Sequence, residues 1–130
     1  MNQNMNNMKR KTRQREIIKQ VFQVESRPLN PMELLSLAQS RLSGISLATV
    51  YRAIKELVET EWLITVEMPG MALYYEINLH RHHHHFFCYS CSKVFEVEGC
   101  VPVETLTPKG FLLESHEIIL SGQCSACMQG

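Results

Sequence analysis

The sequence predicts an α+β fold, an N-terminal winged helix-turn-helix followed by a small strand-rich C-terminal domain. Three observations predict it. Three short helical patterns with capping signals occupy residues 12–59. Two strand-like runs, 62–67 and 72–77, then flank a Pro-Gly turn. Beyond residue 78 the pattern changes to separate strand-like runs around a histidine block and two Cys-x-x-Cys pairs. The change sets the domains at 1–78 and 79–130.

The elements follow in chain order. Residues 1–11 are expected to form a mobile basic arm, with Lys9, Arg10 and Lys11 free to lie along phosphates. Thr12 can cap a first helix to about Val24, whose apolar residues Ile17, Ile18, Val21 and Phe22 recur at helical spacing. Arg27-Pro28 breaks it. At Asn30-Pro31-Met32-Glu33 a second helix starts: Asn caps, Pro takes the first helical position, and Glu reaches back to the cap. Its apolar face is Leu34, Leu35, Ala38 and Leu42, and Ser43-Gly44 ends it. Ser46 caps a third helix, residues 47–59, with Val50, Ile54, Leu57 and Val58 turned inward. Thr49, Tyr51, Arg52, Lys55 and Glu56 stay on the other side, the hydroxyls and cations a recognition helix brings to a major groove. Met68-Pro69-Gly70-Met71 fits a type II turn between the wing strands. Residues 86–88, 94–97 and 113–120 read as strands, and Pro102 and Pro108 bracket at most a short helix.

Charge supports the division. The net charge is zero, yet residues 1–60 hold ten Lys/Arg against five Glu, and residues 61–130 hold three against eight. A basic half on an acidic protein points that half toward a polyanion. No apolar run approaches the roughly 18 residues of a membrane span, and residues 1–8 lack the apolar core of a secretion signal. A cytoplasmic protein with no membrane partner is the expectation.

The chemistry lies between His80 and Cys91, which hold five of the six histidines and the first Cys-x-x-Cys pair. Imidazole and thiolate are the firmest side-chain ligands of zinc and other late first-row metals. Cys88, Cys91, Cys124 and Cys127 supply four thiolates, enough for a closed tetrahedral structural zinc site. Two redox-active dithiols are the competing reading. An enzyme is disfavoured, because a zinc hydrolase or deaminase needs an open position and a Glu in a His-x-Glu arrangement. Neither is present, and His116-Glu117 has the wrong spacing. Cys100 reads as a small buried or spare thiol. Side chains alternate along a strand, so His83 and His85 should face one way and His82 and His84 the other. Two nitrogen-rich sites would result, with Glu76, Glu96, Glu98, Glu104 and His116 available to complete them.

The winged helix, the histidine run, the two Cys-x-x-Cys pairs and the phrase from Ser46 through Leu-Ala-Thr-Val-Tyr to Arg52 together resemble the ferric uptake regulator family. These are bacterial metal-dependent repressors, and the likeness runs from about Thr12 to Cys127. The resemblance implies a homodimer with N-terminal winged helices and a C-terminal α/β dimerisation domain. It implies that Cys88, Cys91, Cys124 and Cys127 bind structural zinc, and that Glu76, His83, His85 and Glu96 form a regulatory hinge site. It implies a second site from His82, His84 and His116, with Glu104 near the family's carboxylate but offset by one. Ser46, Thr49, Tyr51, Arg52 and Lys55 form the expected DNA-reading set, Tyr51 and Arg52 falling where the family touches DNA. Two features depart from the family. No histidine opens the second helix, where Arg27-Pro28-Leu29-Asn30 stands, which leaves the hinge site four-coordinate. The segment between Cys91 and His116 is about one helical turn shorter than usual.

The function expected is a metal-responsive repressor of metal-homeostasis genes, bound to a palindromic, A/T-rich double-stranded operator. Zinc is the favoured regulatory metal beside the structural Zn2+, since four ligands suit its tetrahedral preference. Fe2+ or Mn2+ sensing is the alternative. Peroxide sensing of the family's Asp-rich iron type fits less well, because this chain has no Asp. Outside the family, a zinc-stapled protein-interaction module or a metal store would also carry these donors.

Overall fold

The computed structural model describes residues 3–129, with side chains from residue 9 onward. It divides into two compact units, Met1–Leu79 and His80–Gly130.

In the first unit, α1 (Gln3–Glu25), α2 (Pro31–Gln39) and α3 (Leu47–Glu59) are followed by β1 (Leu63–Val66) and β2 (Tyr74–Ile77). The helical stripes read in the sequence meet in one core. Ile18, Val21 and Phe22 of α1, Leu34 and Ala38 of α2, and Val50, Ile54 and Leu57 of α3 are all buried there. Burial of such apolar side chains contributes roughly 1.5–3 kcal/mol each. Phe22 also meets Trp62 edge-on, with ring centroids 6.3 Å apart.

Local signals explain the boundaries. Asn30 makes a full capping box: its side chain accepts from the Glu33 N–H at 2.8 Å, and the Glu33 carboxylate accepts from the Asn30 N–H at 3.4 Å. Ser46 Oγ accepts from the Thr49 N–H at 3.1 Å and starts α3. In the wing, Met71 N–H donates to Met68 O at 3.1 Å across a turn in which Gly70 has φ +72. That backbone is the left-handed position a type II turn assigns to glycine.

Three differences from the expectation have physical causes. The basic segment before Thr12 is helical from Gln3, so Thr12 lies inside α1 rather than capping it; residues 1 and 2 of the expected arm lie outside the described residues. The Lys, Arg and Gln of residues 9–15 are good helix formers, and nothing breaks the run before Pro28. Helix α2 ends at Gln39, before Leu42, because Ser40 Oγ bonds back to Leu37 O at 2.7 Å and opens a turn. Leu29, placed in a linker by the sequence, exchanges N–H···O bonds of 2.8 and 2.9 Å with Tyr75. It extends the two-stranded wing by a bridge and ties the α1–α2 connection to β2.

The second unit is a three-stranded sheet, β3 (His84–Cys88), β4 (Val94–Val97) and β5 (Ile119–Gly122), in the order β4-β3-β5. Strand β4 pairs antiparallel with β3, and β5 pairs parallel with it. A 3-10 turn, Val103–Thr105, and a final helix α4 (Ser125–Gln129) complete it. The strand expected at 113–120 is confined to 119–122. Phe111 and Leu112 ahead of it are 71% and 83% exposed, an apolar run that joins no strand pairing among the described residues. Among the described residues no helix is long and apolar enough to cross a membrane.

Replacing Asn30 with Ala removes the capping box, with an expected loss of about 1 kcal/mol. Urea unfolding followed by the single tryptophan, Trp62, should show a lower midpoint at unchanged slope.

Candidate metal centres and DNA-facing surface

The sheet of the second unit gathers the cysteines. Cys88 ends β3, Cys91 lies in the turn toward β4, Cys124 follows β5, and Cys127 is on α4. Parallel pairing sets Cys88 beside Gly122, and Tyr89 N–H donates to Gly122 O at 3.0 Å. That register carries Cys124 back to Cys88, whose sulfur accepts its N–H at 3.3 Å. Sulfur–sulfur distances are 3.7 Å for Cys88–Cys127 and 3.8 Å for Cys91–Cys124. Four thiolates about 2.3 Å from a tetrahedral zinc lie about 3.8 Å apart, so the spacing fits that ion. Burial acts to raise the Cys88 thiol, but the backbone N–H groups of Cys124, Cys91 and Ser90 outweigh it and hold it at about 6. Hydrogen bonding to Cys124 and Cys88, with burial, pushes Cys127 up to about 12. A divalent ion at the centre of the four sulfurs would hold all four ionised.

The histidine rings pair as two sets. His82 and His84 have centroids 4.4 Å apart, and His83 and His85 5.0 Å apart. In the first set, His82 Nε2 lies 2.9 Å from Nε2 of both His84 and His116. Cys100 Sγ lies 3.2 Å from His84 Nε2 and 3.1 Å from His116 Nε2. Ile118 N–H donates to His84 Nδ1 at 3.1 Å and orients the ring, so a neutral His84 carries its proton on Nε2, where a metal would replace it. Burial, then the neighbouring histidines His82 and His116, lower the His84 pKa and favour the neutral ring. Glu104, expected here, is on the exposed 3-10 turn and outside the converging donors. Cys100, read as a spare thiol, takes that place. Gly99 at φ +108 turns the chain after β4, a conformation that glycine adopts freely. The Gly-Cys pair was the available signal.

In the second set, His85 lies opposite Glu96 in the β3–β4 register. The Glu96 carboxylate accepts from Arg81 at 2.8 Å, and Arg81 also reaches Glu98 at 3.0 Å. Arg81 escaped the sequence reading, which treated Glu96 only as a ligand. Glu76 belongs to the first unit, on β2, where it pairs with Ile64.

On α3, Tyr51, Arg52 and Lys55 are exposed. Arg52 donates to Thr49 Oγ1 at 3.2 Å, and Ser46 is engaged in the cap. Helix α1 adds cations, of which the sequence reading had left Lys9, Arg10 and Lys11 to a mobile arm. Lys11 and Arg15 line a cleft with Thr49 and Arg52, and Arg15 is paired with Glu56. Lys9, Arg10 and Arg13 line a second cleft of about 320 Å³ with Ser43 and Gly44.

The family model of the ferric uptake regulators matches residues 6–121. The chain belongs to that family. It is 32% identical over 127 residues to the ferric uptake regulation protein of Synechococcus elongatus, covering 92% of this chain and 86% of the relative. Among solved structures it is similar to FurB from M. tuberculosis, described as a zinc uptake regulator. There the identity is 31% and the TM-score 0.53, covering 91% of this chain and 95% of that one. A zinc-bound manganese uptake regulator superposes with a TM-score of 0.75 at 23% identity, covering 85% and 87%, which speaks to the fold alone. The protein is therefore a metal-responsive transcriptional regulator of the ferric uptake regulator family and not an enzyme. Members of the family bind DNA and are dimeric.

Exchanging Cys91 for Ser should leave less than one tightly held zinc per chain after purification. Hydrogen exchange should then rise in β3 and β5, while the Trp62 unfolding transition of the first unit stays in place.

Proposed function

We propose that this protein is a dimeric repressor that binds its operator when zinc is sufficient. The observation that carries this reading is the placement of His83, His85 and Glu96. His85 stands opposite Glu96 in the sheet, and the histidines follow Glu76 of β2 by only a short linker. A metal held jointly by Glu76, His83, His85 and Glu96 would fix the angle between the two units. In a symmetric dimer that angle sets whether two α3 helices reach successive major grooves, about 34–36 Å apart. The metal acts as co-repressor only by binding the DNA-competent arrangement better than the other. Arg81 supports the switch, since it neutralises Glu96 when the site is empty and must yield the carboxylate when metal enters.

The four cysteines serve as a structural zinc site. Operator contact falls to Thr49, Tyr51, Arg52 and Lys55, with Lys9, Arg10, Lys11 and Arg13 of α1 on flanking phosphates. Ser46 positions the helix and Thr49 by its cap. A palindromic, A/T-rich duplex in the cytoplasm is the proposed target. Dimerisation would cover the apolar run at Phe111 and Leu112, which is exposed in the single chain. Zinc is favoured over iron and manganese because two imidazoles and two carboxylates make a four-ligand set. The similar proteins divide between ferric, zinc and manganese uptake regulators, and donor chemistry supplies the preference.

The test is operator binding by the double variant His83→Ala/His85→Ala. It should lose metal-dependent affinity yet keep the cysteine-bound zinc and the fold by circular dichroism. Metal-dependent binding that survives in this variant would contradict the hinge assignment. Arg52→Ala should weaken operator binding about 5- to 150-fold, a loss of about 1–3 kcal/mol, with metal content unchanged.

A further inference from the structure

We propose that Cys100 completes a thiolate-containing metal site with His82, His84 and His116, selective for zinc-class ions over iron and manganese. The site lies wholly within the second unit, so it stands independently of the hinge reading.

The packing of the donors points to a cation. His82 Nε2 has two other Nε2 atoms at 2.9 Å. A neutral imidazole offers one proton or one lone pair at that nitrogen, and donors and acceptors in protein pair one to one. The three Nε2 atoms and the Cys100 sulfur crowd a space in which all four atoms lie within 4.8 Å of one another. Hydrogen bonding satisfies part of this set, whereas a cation at its centre satisfies every member. Zinc–nitrogen bonds of about 2.0–2.1 Å would set the nitrogens about 3.4 Å apart, so each pair opens by roughly half an ångström on binding. The donors sit on three separate chain segments: the start of β3 with the residues just before it, the turn after β4, and the segment before β5. Closing them around one ion therefore ties the edges of the sheet together.

The sulfur decides which ion. Three neutral imidazoles and one thiolate form a closed four-donor set that suits zinc and cobalt(II). Manganese and magnesium prefer oxygen donors in octahedral sets, and ferrous iron gains nothing from a closed tetrahedral one. With Glu104 as the fourth ligand the site would offer a carboxylate, and this discrimination would weaken.

The test uses full-length protein carrying one cysteine-bound zinc per chain, titrated with cobalt(II). The added cobalt should give an intense tetrahedral ligand-field spectrum and a sulfur-to-cobalt charge-transfer band. The hinge residues carry no sulfur, so a band lost in Cys100→Ser reports this site. Cys100→Ser should lose that band and weaken zinc binding at the site at least about tenfold, whereas Glu104→Gln should change neither. A second readout is alkylation. Cys100 is exposed, and iodoacetamide should label it in one-zinc protein. Saturating zinc should block labelling in the wild type but not in His82→Ala or His116→Ala. Retention of the charge-transfer band in Cys100→Ser, or labelling of Cys100 at full metal loading, would overturn the proposal. So would a loss of affinity in Glu104→Gln alone. None of these measurements involves DNA, so failure here is distinct from failure of the repressor reading.

Discussion

Four sulfurs held 3.7–3.8 Å apart in two bridging pairs are the constraint on which the second unit depends. Its sheet has three short strands, and many of its large apolar residues face outward. A unit of some fifty residues buries too little apolar surface to stand on its core alone, and small domains of this kind need a metal, a disulfide or a partner. The cysteines join the end of β3 to the segment beyond β5, at the shared C-terminal end of a parallel pairing that no short loop could enforce. With that tie in place, β3 keeps the register that sets His85 beside Glu96 and carries His82 and His84 toward His116. The donor sets are a consequence of strand geometry, because alternate residues leave opposite faces.

The first unit depends on a different balance. Its core is closed by three helices and fastened to the wing by the Leu29–Tyr75 bridge. That closure leaves α3 free to present Tyr51, Arg52 and Lys55, with the cations of α1 beside them. Ser46 and Thr49 are engaged in fixing the start of α3 and the Arg52 side chain. In the proposed operator complex such pre-positioning would reduce the ordering cost of reading a groove, and the surrounding Lys and Arg would supply the sequence-independent part of the affinity.

Much of this was legible in the sequence, for reasons that can be named. The starts of α2 and α3 were readable because Asn30-Pro31 and Ser46 are local capping signals, and the wing because Pro69-Gly70 fits one turn type. The cysteine cluster was readable because paired Cys-x-x-Cys leaves few other uses for four thiols. Long-range pairing was not readable. Nothing near Leu29 announces a partner in Tyr75, and β5 could not be delimited because its edge depends on β3. The proximity of Cys100 to His84 and His116 was not readable because those histidines lie 16 residues away on either side. Glu104 took the place of Cys100 by analogy with the family. Arg81 went unnoticed because an arginine within a histidine block looks like solvated charge until its carboxylate partners are placed. The length of α1 was underestimated because an Asn-rich start argues against helix.

The measurement that bears most directly on the central claim is operator affinity as a function of buffered free metal. Wild-type protein carrying its cysteine-bound zinc would be titrated in turn with zinc, ferrous iron and manganese against a palindromic A/T-rich duplex. The account predicts a sharp rise in affinity at low free zinc, with iron and manganese effective only at much higher free concentrations. Operator binding that ignores all three metals would contradict it, as would a transition produced by iron or manganese while zinc has no effect.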